Sequence, residues 1–187
     1  MIPRFLKVCA VSALLVFSSF AYAQNDDSAG FFTRLYSSLC KLGVQDTEAL
    51  RSDLTAKHLP ELPAEKAKLF LPGFDGHAWP IPHNGKLGDF VLALPSGKHI
   101  CAVYARRVDV QSAELLFTQF VSKPPAPLVV EKRGDSYMET GPNGRAHTVS
   151  YIWSVPGENR KLLFVLSTAP SPDALIQAVS TISVIGE

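Results

Sequence analysis

Five histidines supply the side chains of this sequence that are best suited to proton transfer or metal binding. Two of them, His77 and His83, lie six residues apart in a segment rich in proline and glycine, where a loop can turn both rings towards one metal ion. No Cys-x-x-Cys pair, His-x-x-x-His pair or carboxylate cluster accompanies them. We therefore interpret both as exposed loop residues and predict no metal site.

Two short patterns match parts of known active sites. Ser38 and Lys41 have the Ser-x-x-Lys spacing of penicillin-interacting acyl enzymes, but the Lys-Thr-Gly strand of that class is absent and the chain is too short for its fold. His99 and Cys101 have the residue types of a base and a nucleophile. However, His99 stands at the start of a predicted strand, so a bridged or packed Cys101 explains the pattern better. We predict no catalytic residue.

The first 23 residues have the pattern of a secretory signal peptide. Arg4 and Lys7 precede an apolar run at residues 8–20, and a small-x-small sequence ends at Ala23. The run is too short for a stable membrane anchor, so we expect cleavage after Ala23 and a periplasmic or secreted chain with no membrane span. Cys9 does not form a lipoprotein signal, because charged Lys7 stands where apolar residues are required.

Removal of this leader leaves two cysteines, Cys40 and Cys101. An even pair of cysteines in an exported protein predicts a disulfide bond. Two buried free thiols are the alternative if the two residues lie far apart in the fold.

Composition limits the classes of partner and cofactor. Without the leader, 16 lysines and arginines stand against 17 aspartates and glutamates, with no basic stripe, so we predict no nucleic-acid partner. A phosphate-binding glycine loop, a nucleophile elbow and a dinucleotide motif are all absent from the sequence, so no nucleotide cofactor is indicated. The length suits one main domain, and the oligomeric state stays open.

The elements that would position any site fall into two parts: a helical segment at residues 24–58 and an α+β domain at residues 59–187. In the first part, apolar residues at helical spacing predict one helix at residues 31–42, and Asp46 is suited to cap a second helix that ends near Lys57.

Residues 59–88 hold five prolines and four glycines, which predicts an irregular segment with at most a short helix or turn at residues 64–70. Irregular stretches of this length are often functional.

Alternating apolar residues in the second half of the chain predict an antiparallel sheet. We expect six strands, at residues 89–94, 99–106, 128–132, 136–140, 145–155 and 161–168. The third and fourth strands are predicted to meet in a turn at Gly134, which explains the integrin-type tripeptide Arg-Gly-Asp there as turn chemistry. Helices at residues 112–121 and from Ser171 to Ile182 are expected to cover the sheet.

An offset of 61 residues relates the two halves of this domain. It places Phe90 on Tyr151, Val103 on Phe164, and the helix at 112–121 on the helix that starts near Ser171. The echo reflects either a duplicated strand-strand-helix unit or chance agreement. Both interpretations predict an α+β fold with an antiparallel sheet of about six strands and helices on one face.

Within the irregular segment, residues 74–83 combine aromatic, apolar and ionisable side chains. Aromatic anchors dominate many protein interfaces, so this segment is the predicted contact surface for a partner. Its residues are Phe74, Asp75, His77, Trp79, Ile81 and His83. The alternative is that Trp79 simply covers the edge of the sheet.

Several short stretches of the chain resemble a family of small exported proteobacterial proteins and lipoproteins of unknown function. They lie at residues 71–79, 88–94, 101–106, 151–153 and 166–168. The resemblance covers roughly residue 71 to the C-terminus. It implies a bacterial, periplasmic or envelope setting and transfers no catalytic residues, and the missing lipoprotein signal departs from the lipoprotein members.

These features together predict a non-catalytic exported protein that binds another envelope or exported protein. The partner would belong to an envelope or secretion system, or would be an exported toxin that this chain neutralises as an immunity protein. Two alternatives stay open. One is a small envelope hydrolase that uses Asp75, His77, His83 or Asp89, and the other is a carrier that holds a small apolar ligand between sheet and helices.

Overall fold

The computed structural model describes residues 27–186, so the predicted signal peptide at residues 1–23 lies outside the described residues. Within them, seven antiparallel strands form one sheet with the order β1-β2-β3-β7-β6-β5-β4. The strands are β1 (Gly76–His83), β2 (Lys86–Pro95), β3 (Ile100–Ala105), β4 (Val129–Glu139), β5 (Arg145–Ser154), β6 (Lys161–Thr168) and β7 (Ala178–Ile185). The helices are α1 (Ser28–Arg34), α2 (Lys41–Gly43), α3 (Thr47–Ala56), α4 (Ala64–Ala67) and α5 (Val110–Val121). The predicted α+β class with an antiparallel sheet is confirmed.

The N-terminal helices and α5 pack on the same face of the sheet and share one core. A π-helical segment (Leu35–Cys40) joins α1 to α2, and Tyr36 in this segment stacks edge-on against Phe117 of α5, with ring centroids 5.8 Å apart. The predicted cap is present at α3, where Asp46 Oδ1 accepts a hydrogen bond of 2.9 Å from the amide of Ala49. None of the helices in residues 27–186 is long and apolar enough to cross a membrane.

A smaller apolar cluster lies on the opposite face of the sheet. There α4 and the 3-10 turn that follows it (Lys68–Phe70) cover β1, β2 and β3, with Ala67 buried against Ala78, Ala93 and Ala102. The main core lies on one face of the sheet with α5 and the N-terminal helices. Helix α4 lies on the other face, so the helices do not all cover one face as predicted.

The predicted disulfide bond between Cys40 and Cys101 is confirmed. It joins the end of the π-helical segment to β3 across a sequence separation of 61 residues, with the two Cα atoms 5.3 Å apart. Both cysteines are buried in the main core. The bond thus ties the N-terminal helices to the centre of the sheet.

The helix predicted from Ser171 to Ile182 is wrong. Residues 171–177 form a connection, and β7 follows it in the middle of the sheet, between β3 and β6. The buried residues of β7 are Ala178, Ser180 and Ile182. A spacing of four residues puts side chains on one face of a strand as well as of a helix, so Ala178 and Ile182 fit both periods. The offset of 61 therefore relates β2 to β5 and β3 to β6, but it pairs α5 with a strand.

The segment at residues 59–88 is more regular than predicted, because β1 lies within it as an edge strand. Proline removes a backbone donor, yet an edge strand tolerates it where the donor would face away from the neighbouring strand. Pro80 and Pro82 occupy such an edge in β1. The short helix predicted at residues 64–70 is present.

The two strands predicted at residues 128–132 and 136–140 are one continuous strand, β4. Instead of turning at Gly134, the chain forms a bulge, where the pairing with β5 shifts register between Lys132 and Gly134. A Cβ atom on Gly134 would lie 2.9 Å from Ser150 Oγ, so glycine leaves room for the Ser150 hydroxyl at this position.

Candidate functional site

The most open surface of the sheet is β4, the strand at its end. It pairs with β5 on one side, and none of its eleven residues is buried. Four large apolar side chains on it are between 38% and 60% exposed: Val129, Val130, Tyr137 and Met138. Isolated exposed apolar residues are ordinary, but four on one edge strand mark it as a candidate contact surface.

The bulge at Arg133 decides which side chains of β4 share a face. Val130 and Lys132 lie opposite Trp153 and Tyr151 of β5, on the face that carries α5. Beyond the bulge that face carries Asp135 and Tyr137 instead. The other face carries Val129, Glu131, Ser136 and Met138.

A polar cluster lies beside this strand, where β4, β5, β6 and α5 meet. Tyr137, His147 and Thr168 stand in register on the three neighbouring strands, and Glu114 projects from α5. His147 Nδ1 lies 2.9 Å from Glu114 Oε1, and its Nε2 lies 2.8 Å from Asp135 Oδ1. Thr168 Oγ1 also donates a hydrogen bond to the Glu114 carboxylate. One imidazole thus connects the helix to the edge strand.

The two carboxylates favour the charged form of this imidazole. Burial by itself lowers the pKa of His147, whose side chain is 18% exposed, but the hydrogen bonds and charges of Asp135 and Glu114 outweigh that effect and raise its pKa above the ordinary value. The hydrogen bond from Lys132, followed by that from His147, lowers the pKa of Asp135. A protonated ring donates to both carboxylates, whereas a neutral ring donates to one only.

An open cleft of about 440 Å³ adjoins the cluster, between the start of α5 and the strands. The Tyr137 ring stacks on His147 with centroids 4.4 Å apart, and the Arg145 guanidinium lies 4.7 Å from the centre of the Tyr137 ring. Among the described residues, Arg145 forms no ion pair. The lining of the cleft therefore includes Arg145, a cation without a carboxylate partner among residues 27–186, which lies against the Tyr137 ring.

The geometry of His147 suits a structural connection better than proton transfer. A general base needs a ring nitrogen within reach of the substrate, and both nitrogens of His147 already face carboxylate oxygens. The Thr168 hydroxyl donates its proton to a hydrogen bond with Glu114, an arrangement that does not suit a nucleophile. The cluster holds α5, β5 and β4 together, and β4 remains the exposed element.

The residues predicted to bind a partner are at the opposite end of the sheet and do not form one exposed surface. Trp79 and Ile81 are buried in the main core, and Trp79 is 1% exposed. Phe74 and Asp75 precede β1, and both are exposed, with Phe74 at 43%. Partner binding by the exposed members stays a prediction, and the alternative that Trp79 covers the sheet agrees with its burial.

The two histidines of that segment have separate surroundings. His77 Nδ1 lies 2.6 Å from Glu61 Oε1, and the His83 ring stacks on Phe31 of α1 at 4.3 Å. Asp89 lies on β2 near the end that pairs with His83 rather than with His77. Within residues 27–186, no group of three histidines, cysteines, aspartates or glutamates is placed to hold a metal ion.

The remaining sequence patterns also have local structural roles. Ser38 Oγ donates a hydrogen bond to the carbonyl of Arg34 one helical turn earlier, and Cys101 is in the disulfide. His99 Nδ1 lies 3.1 Å from the carbonyl oxygen of Val44. None of these residues is part of the cleft beside β4.

Sequence reasoning did not identify Glu114, Asp135 and His147 as a cluster. Asp135 was noticeable only within the Arg-Gly-Asp tripeptide, and His147 only as one of five histidines. A strand continued through Gly134 would have put Asp135 and Tyr137 on one face, which was the available signal. Comparison with protein-family models and with curated protein sequences found no match to this chain.

Proposed function

We propose that this chain is a non-catalytic exported protein that binds another envelope or exported protein through β4. The observation that carries the proposal is the exposure of this edge strand and its four apolar side chains. An extended segment of the partner would add as a further strand, because an edge strand offers unpaired backbone donors and acceptors. Side chains on both faces of β4 would then select the partner.

The disulfide and the N-terminal sequence support the exported setting. Disulfide bonds persist in the periplasm and outside the cell, and the bond between Cys40 and Cys101 is compatible with such a compartment. The first 23 residues have the composition of a signal peptide. The resemblance to small exported proteobacterial proteins implies the same periplasmic or envelope setting. An accessory factor of an envelope or secretion system, or an immunity protein, would work in that setting.

Capture of partners with matched surface variants tests this function. The full chain would be expressed with its own N-terminal sequence, used to capture proteins from envelope extracts, and compared with Met138→Lys and Leu115→Lys. Met138 on β4 and Leu115 on α5 are both 59% exposed, so the two changes differ mainly in location. We expect one specific protein to be captured by the unchanged chain and by Leu115→Lys, with about tenfold less captured by Met138→Lys.

A third variant, Phe74→Ala, separates β4 from the surface predicted by sequence. Loss of capture with Phe74→Ala and full capture with Met138→Lys would place binding near β1 and contradict the use of β4. Equal capture by every variant, or no specific protein at all, would also contradict it. Melting temperatures of the variants must stay close to that of the unchanged chain, so that lost capture reports binding.

A further inference from the structure

The two edges of the sheet differ in their capacity to accept another strand. On β1, Pro80 and Pro82 lack backbone donors, and the carbonyl of Ala78 already accepts a hydrogen bond of 2.8 Å from the amide of Leu62. β4 has no proline, and its outer edge has no neighbouring strand within residues 27–186. A second chain that adds a strand would therefore join at β4.

The side chains of β4 are complementary to β4 itself when two copies run antiparallel. In the register that places Arg133 opposite Gly134 of a second copy, Lys132 faces Asp135 on the α5 side of the sheet. On the same face Val130 then meets Tyr137, and on the other face Val129 meets Met138. The two residues of each of these pairs lie on the same face of the combined sheet. This agreement arises because the bulge at Arg133 shifts the alternation of β4 by one residue.

Neighbouring registers lose this agreement. A shift of one residue opposes side chains that lie on different faces of the sheet. A shift of two residues puts Val130 opposite Asp135 in one direction and opposite Glu139 in the other. Only the register around Arg133 and Gly134 combines apolar pairs with opposite charges, and cross-strand pairs of both kinds stabilise a sheet.

The charges of β4 do not oppose this arrangement. Edge strands often carry lysine and a bulge that discourage pairing. Here Lys132 Nζ lies 2.6 Å from Asp135 Oδ2, and Arg133 lies 2.8 Å from Glu131, so each cation is already beside an anion. Pairing two copies alternates these charges and places no like charges directly opposite each other.

We propose that, until another partner displaces it, β4 pairs antiparallel with β4 of a second copy of this chain. The two sheets then form one sheet across a two-fold axis near Arg133 and Gly134. The inference rests on the proposed use of β4 as a binding surface and names its occupant in the resting state. Because ten or so residues a side make a small interface, the dimer is weak and depends on concentration.

Cysteine trapping tests the register directly. Two single variants of the full chain, Val129→Cys and Met138→Cys, would be oxidised separately and as an equal mixture. The proposed register puts the two new cysteines opposite each other, about 5 Å apart between Cβ atoms, whereas two copies of one variant keep them about 30 Å apart. We expect a disulfide-linked dimer in the mixture and little in either variant alone.

Sedimentation of the unchanged chain from micromolar to millimolar concentration supplies the second measurement. We expect association that Met138→Lys weakens at least several-fold and Leu115→Lys leaves unchanged. A chain that stays monomeric throughout, or equal trapping in single variants and mixture, overturns the proposal. A monomer that still captures its partner through Met138 refutes only the dimer, while a trapped dimer without any captured partner refutes only the proposed function.

Discussion

Replacement of His147 by alanine tests whether the imidazole charge holds α5 to the sheet. The variant removes the hydrogen bond to Glu114, a partly buried contact of 2.9 Å. A hydrogen bond to a charged group of this kind contributes about 2 kcal/mol, which corresponds to a decrease of about 4–8 °C in Tm for a domain of this size. The contact with exposed Asp135 adds little to that figure.

The pH dependence of this loss has a definite sign. The pKa of His147 is raised in the folded protein, so its stabilisation is complete below the unfolded value of about 6.5 and disappears as pH rises through the folded value. The pKa of Asp135 is lowered, so that carboxylate keeps its contribution above its unfolded value of about 3.8. The difference in free energy of unfolding between the unchanged chain and His147→Ala should therefore be large near pH 5.5 and small near pH 9.

Urea unfolding at both pH values measures this difference. Loss of the stacking contact with Tyr137 affects the variant at every pH, so the change between the two pH values isolates the charge. His77→Ala serves as the control, because His77 forms an exposed pair with Glu61 and its removal should cost about 0.5 kcal/mol. An equal deficit of His147→Ala at pH 5.5 and pH 9 would refute the reasoning.

Three further changes test the core. Replacing both Cys40 and Cys101 by alanine should lower the free energy of unfolding by about 4 kcal/mol, measured in urea, because the bond closes a long loop in the unfolded chain. Trp79→Ala should lower the free energy of unfolding by about 3–5 kcal/mol, because Trp79 is buried. Phe74→Ala should change it by about 0.5 kcal/mol or less. Equal losses would show that Trp79 is not a core residue. Gly76→Ala would put a Cβ atom 2.4 Å from a backbone oxygen of β2. The free energy of unfolding should therefore decrease by about 1–3 kcal/mol, with a lower Tm. An unchanged Tm would contradict the close packing of β1 on β2.

Whether a helix or strand could be predicted depended on how much of its sequence pattern was local. The helix at α5 and the strands at β5 and β6 were predictable, because one face of each is apolar at its own period. At β7 the apolar residues fit both periods, and only its place between β3 and β6 made it a strand. At β1 the prolines predicted a loop, but the segment is a strand at the edge of the sheet, where proline is tolerated.

The candidate site depends on β4, which the sequence predicts as two separate strands. Gly134 favours a turn by composition, and the pairing with β5 makes it part of a bulged strand instead. Once β4 is continuous, Asp135 reaches His147, and Glu114 joins them from a helix 33 residues earlier in the chain. Contacts over such separations have no periodic signature.

The sequence by itself determined the α+β class, the capped α3, the disulfide partners and the positions of β2, β3, β5 and β6, because caps, cysteine counts and apolar periods are local properties. Only the tertiary structure decided that Trp79 is buried, that β7 is a strand and that β4 ends the sheet with its apolar residues exposed. Burial and edge position are determined by which strands become neighbours. That choice depends on packing across the whole chain.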